Sequence, residues 1–450
     1  TLVDAAPTLT RTLAPAWLAT PYDVPLLPEG LDFDTVLLVD AGGICLAEAA
    51  PAIRRARQIV AFGDPATQRP SPFTIGIGAE VGIDLAPDAD ADGVAFDDVS
   101  VFERLAEVLP VMTLTRSYRA GGEDLAELVN DAFYGGEIVS LPWAGSYLGR
   151  GSLSVDYVEN GTGTPDPISG AVESTKAEVE RIVTLVAEHA VNRPSESLMV
   201  VTASPRHAER LRHEITVKFA ERPELAEFAS RDSAEPFAVL TLEQSVAESR
   251  DRVIFSLGYG LTRHGRVLSD FGDLSTPDGE RLLTVGMTRA RRSMVIVSSI
   301  RPSAFDERKL EHGASTLMDI LAGVAERSRH GNLEDLADPL TRVLARELRA
   351  LGVDCALGYR GTLALVAKHE GKAVVAESDP EVHGSSLRET LRLRPQVLRR
   401  LGWHYVRVHA FDLYSDPAAV AARIAGVLGV VASDPRPVDT TTQPISTILE

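Results

Sequence analysis

The sequence predicts a mixed α/β fold built on parallel sheets, and two observations point to it. The 450 residues are 44% apolar and 24% charged, which is ordinary for a soluble globular protein and enough for about three domains. Short apolar segments alternate with helical patterns, as parallel strands joined by crossover helices require. These segments lie at 36–39, 59–62, 111–114, 198–204, 237–242, 252–257 and 294–299.

The order of these patterns divides the chain into five predicted parts. Residues 1–108 combine a loop-rich start with the first strands, and 109–302 form a second α/β domain. Residues 303–338 are polar and helical, which suits a connector. A small α/β domain is predicted at 339–430. Residues 431–450 are rich in Pro, Thr, Ser and Asp, which predicts a flexible tail.

Local signals place the helices and the remaining strands. A helical pattern covers 172–190, and Ser204-Pro205 is a typical start for a helix at 205–220, because Ser caps the first turn and Pro fits its first position. In the small domain, strands and helices alternate around an arginine-rich helix. Its predicted elements lie at 339–351, 353–357, 362–367, 373–377, 386–401, 404–409 and 417–428.

Composition excludes several classes of protein. With 45 basic and 64 acidic residues the net charge is −19, so a uniformly basic nucleic-acid-binding surface is excluded, although a local basic groove is not. Cys45 and Cys355 allow no disulfide framework or zinc spacing, which predicts a reducing, cytoplasmic location. No apolar run is long enough for a membrane helix, and no leader follows Thr1. The acidic stretch 77–97 predicts a solvated loop, since the spacing of a calcium loop is missing.

Two aspartates stand at the ends of the first two predicted strands. Asp40 follows 36–39, and Asp64 follows 59–62 within Gly63-Asp64-Pro65. Ligands of open α/β sheets bind at the carboxyl ends of the strands. In phosphoryl-transfer enzymes such an Asp holds Mg²⁺ beside a carboxylate that orients water. Helix capping is the alternative role for either residue.

Three longer segments carry a resemblance. They are TLTRSYRAGGEDLAELVNDAFYGGEIVSLP (113–142), EPFAVLTLEQSVAESRDRVIFSLGYG (235–260) and GERLLTVGMTRARRSMVIVSS (279–299). Together with the two aspartates, and in this order, they resemble motifs II to VI of superfamily 1 helicases of the Upf1-like branch. GERLLTVGMTRAR is the most specific match. The similarity covers about 20–300 and implies two RecA-like domains, the first partial and the second complete.

The resemblance also implies ligands and residue roles. ATP would be read by both RecA-like halves, with Mg²⁺ on Asp40 and with Arg119 and Arg289 reaching the γ-phosphate. Arg suits this task because its planar fork pairs with phosphate oxygens. The cofactor-binding residues implied by position are Asp64, Gln68, Glu280 and Arg289. Pairing of Arg119 and Arg289 with surface carboxylates is the alternative. The implied partner is DNA or RNA.

The chain departs from the helicase motifs at several places. Ala41 stands where motif II has its catalytic Glu, and Thr67 stands where motif III has Gln, with Gln68 one place late. In motif V, Val246-Ala247 replaces Gln-Gly and Ser249 replaces Glu. The chain contains no G-x-x-x-x-G-K-[ST] phosphate-binding loop. In helicases this loop precedes motif II, so it is expected upstream of Thr1. Loss of a water-positioning group costs about 10²–10⁴ in rate, so impaired hydrolysis is predicted.

The first predicted sheet is too small to stand alone. It contains only two or three parallel strands, and parallel strands need both faces covered. The sequence therefore predicts that an upstream polypeptide or another chain completes this first RecA-like sheet.

The end of the chain carries a second resemblance. The segment GTLALVAKHEGKAVVAESDPEVHGSSLRETLRLRPQVLRRLGWHYVRVHAFDLYSDP (361–417) resembles the Vsr-like (DUF559-type) nuclease domain, which has a restriction-endonuclease-like fold. Alternation along a strand puts Glu377 and Asp379 on one sheet face, where they would hold Mg²⁺. His383 also remains, but Leu363 replaces the Asp of the preceding strand, so cleavage is predicted to be impaired.

The arginine-rich helix has two interpretations. Arg388, Arg392 and Arg394 are spaced to meet DNA phosphates, or the helix face is solvated and pairs with Glu389. Trp403 is expected in the core rather than stacked on a base.

The sequence thus favours a helicase-like ATPase or translocase module with a nuclease-like domain and impaired catalysis. A non-catalytic nucleic-acid-binding or assembly scaffold is the alternative, and a metal-dependent nuclease acting alone is the third hypothesis.

Overall fold

A computed structural model describes most of the chain as two compact units, Thr1–Leu114 and Thr115–Glu450. Within these units the structure describes a set of separate stretches. They are 7–28, 30–70, 99–116, 123–167, 170–231, 233–267, 270–305, 310–326, 338–378 and 386–430. The predicted calcium-loop alternative at 77–97 and the predicted tail at 431–450 lie outside the described residues.

The first unit contains a small parallel sheet. Strands β1 (Phe33–Leu38) and β2 (Ala56–Ala61) pair in parallel. Helices α1 (Pro7–Leu13), α2 (Leu46–Ile53) and α3 (Val101–Ala106) accompany them. The buried core of this unit is correspondingly small. It consists of Leu38, Ala41, Ala49 and Val101, with partly buried neighbours.

The strand predicted at 111–114 is wrong. These residues are not in a strand, and Val111, Met112 and Leu114 are exposed. The first backbone pairing comes just after them, where the Val139 amide donates to the Thr115 carbonyl at 2.8 Å. An apolar run becomes a strand only where another strand satisfies its backbone groups, and none of the described segments pairs with 111–114.

The second unit contains a five-stranded sheet in the order β3-β9-β7-β5-β6, and every pair in it is parallel. This confirms the α/β fold class and is consistent with a RecA-like domain. Its strands are β3 (Leu153–Tyr157), β5 (Leu198–Thr202), β6 (Ala238–Thr241), β7 (Arg250–Ser256) and β9 (Ala290–Ser298), and a separate parallel pair consists of β4 (Thr162–Gly163) and β8 (Leu261–Thr262). Strands β5, β6, β7 and β9 overlap the predicted segments, whereas β3 was not predicted.

Helices cover both faces of this sheet, as parallel strands demand. One face packs on α6 (Lys176–Asn192), α7 (Pro205–Ala220) and α8 (Pro223–Ser230). Helix α7 begins at the predicted residue because the Ser204 hydroxyl accepts the His207 amide at 3.2 Å and Pro205 takes the first position.

The opposite face packs on three other helices. They are α4 (Glu123–Phe133), α9 (Gly279–Met287) and α10 (His312–Glu326), while the one-turn helix α5 (Ala144–Tyr147) precedes β3. Helix α10 lies within the predicted connector 303–338, and its side chains Leu317, Ile320 and Leu321 are buried in this core. The limits of the connector remain a prediction, since 327–337 lie outside the described residues.

The end of the second unit is a smaller α/β domain. Its sheet has the order β10-β11-β12-β13, antiparallel except for the last pair. The strands are β10 (Asp354–Tyr359), β11 (Leu363–His369), β12 (Lys372–Ser378) and β13 (His404–Val408). The helices are α11 (Pro339–Ala350), α12 (Arg394–Arg400), α13 (Ala410–Ser415) and α14 (Pro417–Leu428). A π-helical turn, Glu389–Leu393, leads directly into α12, and Pro395, which lacks an amide hydrogen, explains the irregular hydrogen bonding there.

The two parts of the second unit share a core. The Trp403 indole donates to the Pro142 carbonyl at 2.7 Å, and the Tyr147 ring lies 5.1 Å from that of Tyr359 and 5.8 Å from that of Trp403. Trp403 is only 2% exposed, which confirms the prediction that it is a core residue. Residues from a loop preceding β3 therefore complete the core of the C-terminal sheet.

Candidate nucleotide and nucleic-acid sites

Asp40 lies directly beyond the strand β1, where the chain turns sharply. Its backbone φ is +55°, a left-handed conformation that Asp and Asn adopt more readily than most residues. The turn is held because the next amide, that of Ala41, donates to the Phe62 carbonyl at 2.8 Å. The Asp40 side chain is thereby placed at the carboxyl ends of both parallel strands.

Gln68 forms hydrogen bonds with both aspartates of the predicted site, Asp40 and Asp64. Its side-chain amide donates to Asp40 Oδ1 at 2.8 Å, and its carbonyl oxygen accepts the Asp64 amide at 3.0 Å. The Asp64 carboxylate is used within its own turn, accepting from the Ala66 amide and the Thr67 hydroxyl. The structure thus brings Asp40, Asp64 and Gln68 together, although Gln68 stands one place later than in the helicase motif.

The absence of a side chain at Gly42 allows Gln68 to lie close to Asp40. A Cβ on Gly42 would lie 2.7 Å from Gln68 Oε1 and 2.8 Å from its Cβ, which no real contact tolerates. A larger residue at position 42 would therefore separate Gln68 from Asp40.

The position of the missing motif II glutamate is closed to a carboxylate. Ala41 is fully buried in the core of the first unit, between the strands and α3. Burial of an unpaired carboxylate costs several kcal/mol, so the residues now around Ala41 leave no polar environment for one.

Arg289 is buried and held by the backbone. It is 7% exposed; Nε donates to the Val285 carbonyl at 2.8 Å, and Nη2 donates to the Thr288 hydroxyl at 2.9 Å. A third bond runs to the Glu248 carbonyl at 3.3 Å. These three partners are backbone carbonyls and a hydroxyl, and they hold the guanidinium beyond the end of α9.

Glu280 and Arg289 are not brought together. Glu280 is exposed in the first turn of α9, and Arg289 follows the other end of this nine-residue helix, which is about 13 Å long. Arg119, the other predicted γ-phosphate residue, lies outside the described residues. The nucleotide roles of these three residues remain predictions.

In the C-terminal domain, Glu377 forms an ion pair with Arg394. Arg394 Nε donates to Glu377 Oε1 at 2.7 Å, Nη2 lies 2.6 Å from the same oxygen, and Nη2 donates to the Thr362 carbonyl at 2.7 Å. Leu363 is 1% exposed on the neighbouring strand. Asp379 and His383 lie outside the described residues. Across those that the structure describes, no cluster of three metal-binding side chains occurs.

The three arginines predicted to contact nucleic acid differ in their exposure. Arg388 and Arg392 are exposed, whereas Arg394 is half-buried against Glu377. Glu389, between the first two, is paired with Arg116 from the start of the second unit. Among the described residues, Glu389 therefore pairs with Arg116 rather than with an arginine of its own helix.

Sequence reasoning missed a buried polar network at the carboxyl edge of the five-stranded sheet. His207 Nε2 lies 2.9 Å from Ser256 Oγ, and Nδ1 lies 3.0 Å from Ser174 Oγ. Ser256 in turn donates to Glu178 at 2.7 Å. Serines that follow apolar strands were the available signal, but partners this distant in sequence cannot be paired from one sequence.

Burial controls the ionisation of this network. It lowers the pKa of His207 to about 3, with a smaller contribution from the Arg210 charge. Burial also raises the pKa of Glu178, although donors from Ser256, Gly258 and Ser299 oppose it. His207 is therefore neutral at pH 7, and all of its polar atoms have partners. The network is closed by its own hydrogen bonds.

Comparisons with known proteins indicate a distant helicase relationship. The chain is 24% identical over 287 residues to the uncharacterized ATP-dependent helicase MG140 homologue of Mycoplasma pneumoniae, covering 61% of this chain and 24% of that protein. It is 24% identical over 280 residues to the uncharacterized ATP-dependent helicase MG140 of Mycoplasma genitalium, covering 60% and 23%. The chain thus spans about a quarter of the length of these relatives. No family of known proteins matches it.

Two solved structures also match. The C-terminal domain of a possible DNA helicase from Lactobacillus plantarum is 13% identical, with a TM-score of 0.23, covering 44% of this chain and 99% of that one. The PRRSV helicase is 11% identical, with a TM-score of 0.28, covering 61% and 37%. The sequence relatives support a helicase-like module. Within the described residues, none of the helices is long and apolar enough to cross a membrane.

Proposed function

We propose that the chain is a helicase-like, nucleic-acid-dependent ATPase module in which hydrolysis is impaired. The observation that carries the proposal is the contact of Gln68 with Asp40 at the carboxyl ends of β1 and β2. A carboxylate and an amide at that edge are suited to Mg²⁺ and to a water or phosphate oxygen. The distant relatives are named ATP-dependent helicases, which supports ATP as the nucleotide.

The impairment follows from Ala41. The residue that follows Asp40 is buried and apolar, so the carboxylate that activates water in the helicase motif is missing from its position, and the remaining groups, Asp64 and Gln68, are engaged in hydrogen bonds of their own. Glu280 and Arg289 keep their predicted roles toward ATP within this proposal. Arg289 would offer a guanidinium already fixed by carbonyl groups, so little side-chain entropy is lost when it meets a phosphate.

The alternative is a non-catalytic scaffold. It is favoured by a specific observation: in the C-terminal domain the carboxylate of Glu377, which was predicted to hold Mg²⁺, is paired with Arg394. We propose the restriction-endonuclease-like fold for this domain, because a helix, three antiparallel strands, a helix and a parallel strand follow one another. In both proposals DNA or RNA is the partner, and Arg388 and Arg392 contact its phosphates.

A further polypeptide segment or chain is part of the proposal. The two-stranded sheet of the first unit leaves Leu37, Val39 and Phe62 with exposures of 59%, 67% and 46%. Apolar side chains on a parallel sheet are normally covered. Added strands would cover them and would also supply the phosphate-binding loop.

The experiment measures ATP binding and hydrolysis by the longest available form of the protein, with and without single-stranded DNA or RNA. We expect Mg²⁺-dependent ATP binding, and turnover well below about 1 s⁻¹, a low but ordinary enzyme rate. Gln68→Ala should weaken ATP binding. The matched control is Gln58→Ala, which removes an exposed glutamine of β2 that accepts a hydrogen bond from Thr35.

Three results would change the interpretation. Turnover at or above that rate would contradict the impairment. Absence of ATP binding together with intact nucleic-acid binding would replace the ATPase by the scaffold. Equal effects of Gln68→Ala and Gln58→Ala would contradict the site at Asp40.

A further inference from the structure

The C-terminal domain is joined to the domain of the five-stranded sheet by ion pairs as well as by the shared core. Arg116, at the start of the second unit, pairs with Glu389. Arg360, in the turn between β10 and β11, donates to Asp124 Oδ1 at 3.0 Å and lies 3.7 Å from Glu127 Oε2. Both carboxylates belong to the first half of α4. The C-terminal domain therefore contacts the segment before α4 and also α4 itself.

The backbone around Arg360 is adapted to this contact. Its φ is +50°, and the nearby Gly358 and Gly361 have φ of +57° and +65°. A left-handed conformation is unfavourable for arginine and persists where surrounding contacts hold it. The side chains of Arg360 and Asp124 are only 16% and 25% exposed, so the pair is screened by water and salt less than a surface pair is. The turn thus directs a guanidinium onto α4.

Helix α4 also contacts the helix that leads to Arg289. Leu125 of α4 belongs to the same buried core as Leu282 and Leu283 of α9, and the two helices are in contact. Arg289 follows α9 directly and donates to the Val285 carbonyl in the last turn of that helix. Close-packed side chains deform little and transmit displacement. A shift of α4 therefore reaches the end of α9.

Nucleic acid bound to the C-terminal domain would change one of these contacts. In the proposed function Arg388 and Arg392 contact phosphates. Glu389 belongs to the same π-helical turn as Arg392, so a phosphate bound there stands near its carboxylate. Because like charges repel and opposite charges attract, the phosphate competes with Glu389 for Arg116. Nucleic acid thus weakens the pair of Arg116 with Glu389, while Arg360 keeps the domain on α4.

We infer that Arg360 is a positioning residue through which nucleic acid on the C-terminal domain regulates nucleotide binding at the end of α9. The inference rests on the proposed function and deepens it, because it names how the nucleotide site is controlled. Arg360 does not touch the nucleotide. It holds α4 to the C-terminal domain, so that a displacement at Glu389 and Arg116 moves α4 and the end of α9. Such coupling changes the affinities for both ligands by the same factor.

The test measures the ATP affinity of the longest available form of the protein by calorimetry, with and without a saturating single-stranded oligonucleotide. We expect the oligonucleotide to tighten ATP binding about fivefold, the lower end of ordinary allosteric coupling, and Arg360→Ala to reduce this factor to about one. Each ligand alone should bind to the variant as it binds to the wild type. Arg360→Lys keeps the charge and should retain part of the factor, which loss of folding would not explain.

The matched control is Arg346→Ala, which removes the same charge from an exposed position on α11, where Arg346 pairs with Glu347. It should keep the full coupling factor. Asp124→Asn removes the other half of the ion pair and should act like Arg360→Ala, and it takes the place of that variant if that variant does not fold. If both ligands bind but the wild type shows no coupling, or if Arg360→Ala and Asp124→Asn retain it, the inference is wrong and the proposed function stands.

A second measurement separates this inference from the proposed function, because it needs no ATP. Amide hydrogen exchange reports the local opening of helices, and it is followed for α4 and α9 with and without the oligonucleotide. A change in α9 that Arg346→Ala retains and Arg360→Ala removes supports the coupling, even if ATP fails to bind and the ATPase is contradicted. The same change in Arg360→Ala as in the wild type overturns the inference alone. No oligonucleotide binding overturns both the inference and the nucleic-acid partner.

Discussion

The five-stranded parallel sheet and the parallel pair of β1 and β2 differ in how completely their strands are covered. In the five-stranded sheet, Met199, Val200 and Val201 of β5 are fully buried, because strands flank β5 on both sides and helices cover both faces. In the two-stranded sheet, Leu37 of β1 is 59% exposed. Both sets of residues read alike in the sequence, as short apolar runs.

The difference shows that forming a strand does not by itself determine how far the apolar side chains of that strand are buried. At about 25 cal/mol per Å² of apolar surface removed from water, β5 gains from both faces, whereas the strand β1 gains mainly from Leu38. The stability of the second unit should therefore depend on its sheet residues far more than that of the first. Substitutions in matched pairs can test this.

The largest effect is expected for phenylalanines. Phe255 in β7 is fully buried, whereas Phe62 at the end of β2 is 46% exposed. Phe255→Ala should lower the free energy of unfolding by about 3–5 kcal/mol, as cavity-forming changes in cores do, and Phe62→Ala by less than about 1 kcal/mol. Urea denaturation followed by circular dichroism measures both. Similar losses for the two variants would contradict the comparison.

The second-largest effect on stability is expected at Ala41, the buried residue that follows Asp40. Ala41→Glu restores the residue type of the helicase motif but places a carboxylate in a fully buried position. We expect about 2–4 kcal/mol of destabilisation of the first unit and no gain in ATP turnover. Ala52→Glu, at a partly buried position of α2, is the control and should cost less. A stable Ala41→Glu protein with faster turnover would show that only the missing side chain limits hydrolysis.

Acid should weaken the second unit through His207. Its pKa is about 3 in the folded state, against 6.5 for an ordinary histidine, so below pH 6.5 the unfolded chain binds a proton that the folded chain does not. The contribution of His207 to the free energy of unfolding is therefore fully present above pH 6.5. Below pH 6.5 the free energy of unfolding falls by about 1.4 kcal/mol per pH unit, which amounts to about 2 kcal/mol at pH 5. Urea midpoints at several pH values measure this slope.

The matched variant for this slope is His207→Gln, which removes the titrating group. Glu178 acts in the opposite sense, because its raised pKa lets the folded chain bind a proton above pH 4.5. The difference in slope between wild type and His207→Gln isolates the histidine. Identical slopes would mean that His207 does not titrate as its burial requires.

Some parts of this fold could be predicted from the sequence and others could not. The strands β5, β6, β7 and β9 and the start of α7 could be predicted, since period, length and capping are local properties. The failure at 111–114 and the network of Glu178 with His207 have one cause. Pairing partners decide both, and in the network they lie as far as 121 residues apart, in the case of Glu178 and Ser299.

The candidate site, like the fold, was predicted only in part. Asp40, Asp64 and Gln68 came from strand ends and motif order, and the structure joins them. The partnership of Glu377 with Arg394 was not predicted, because both were assigned to different ligands by their residue type. A carboxylate suits a metal and a guanidinium suits a phosphate, and only their distance shows that each satisfies the other.

The smallest expected effect is the sharpest test of the incomplete sheet. Leu37→Lys places a charge on an exposed position of β1, so in the present chain it should change the free energy of unfolding by less than about 0.5 kcal/mol. If additional strands complete this sheet, Leu37 becomes buried, and the same variant in the longer protein should cost several times more, because an unpaired lysine is then removed from water. Comparing the urea midpoints of the two lengths measures this, with Lys introduced at Thr35, exposed on the same strand, as the control. An equally small effect of Leu37→Lys in both lengths would show that the apolar face of β1 stays open to water and that no further strand covers it.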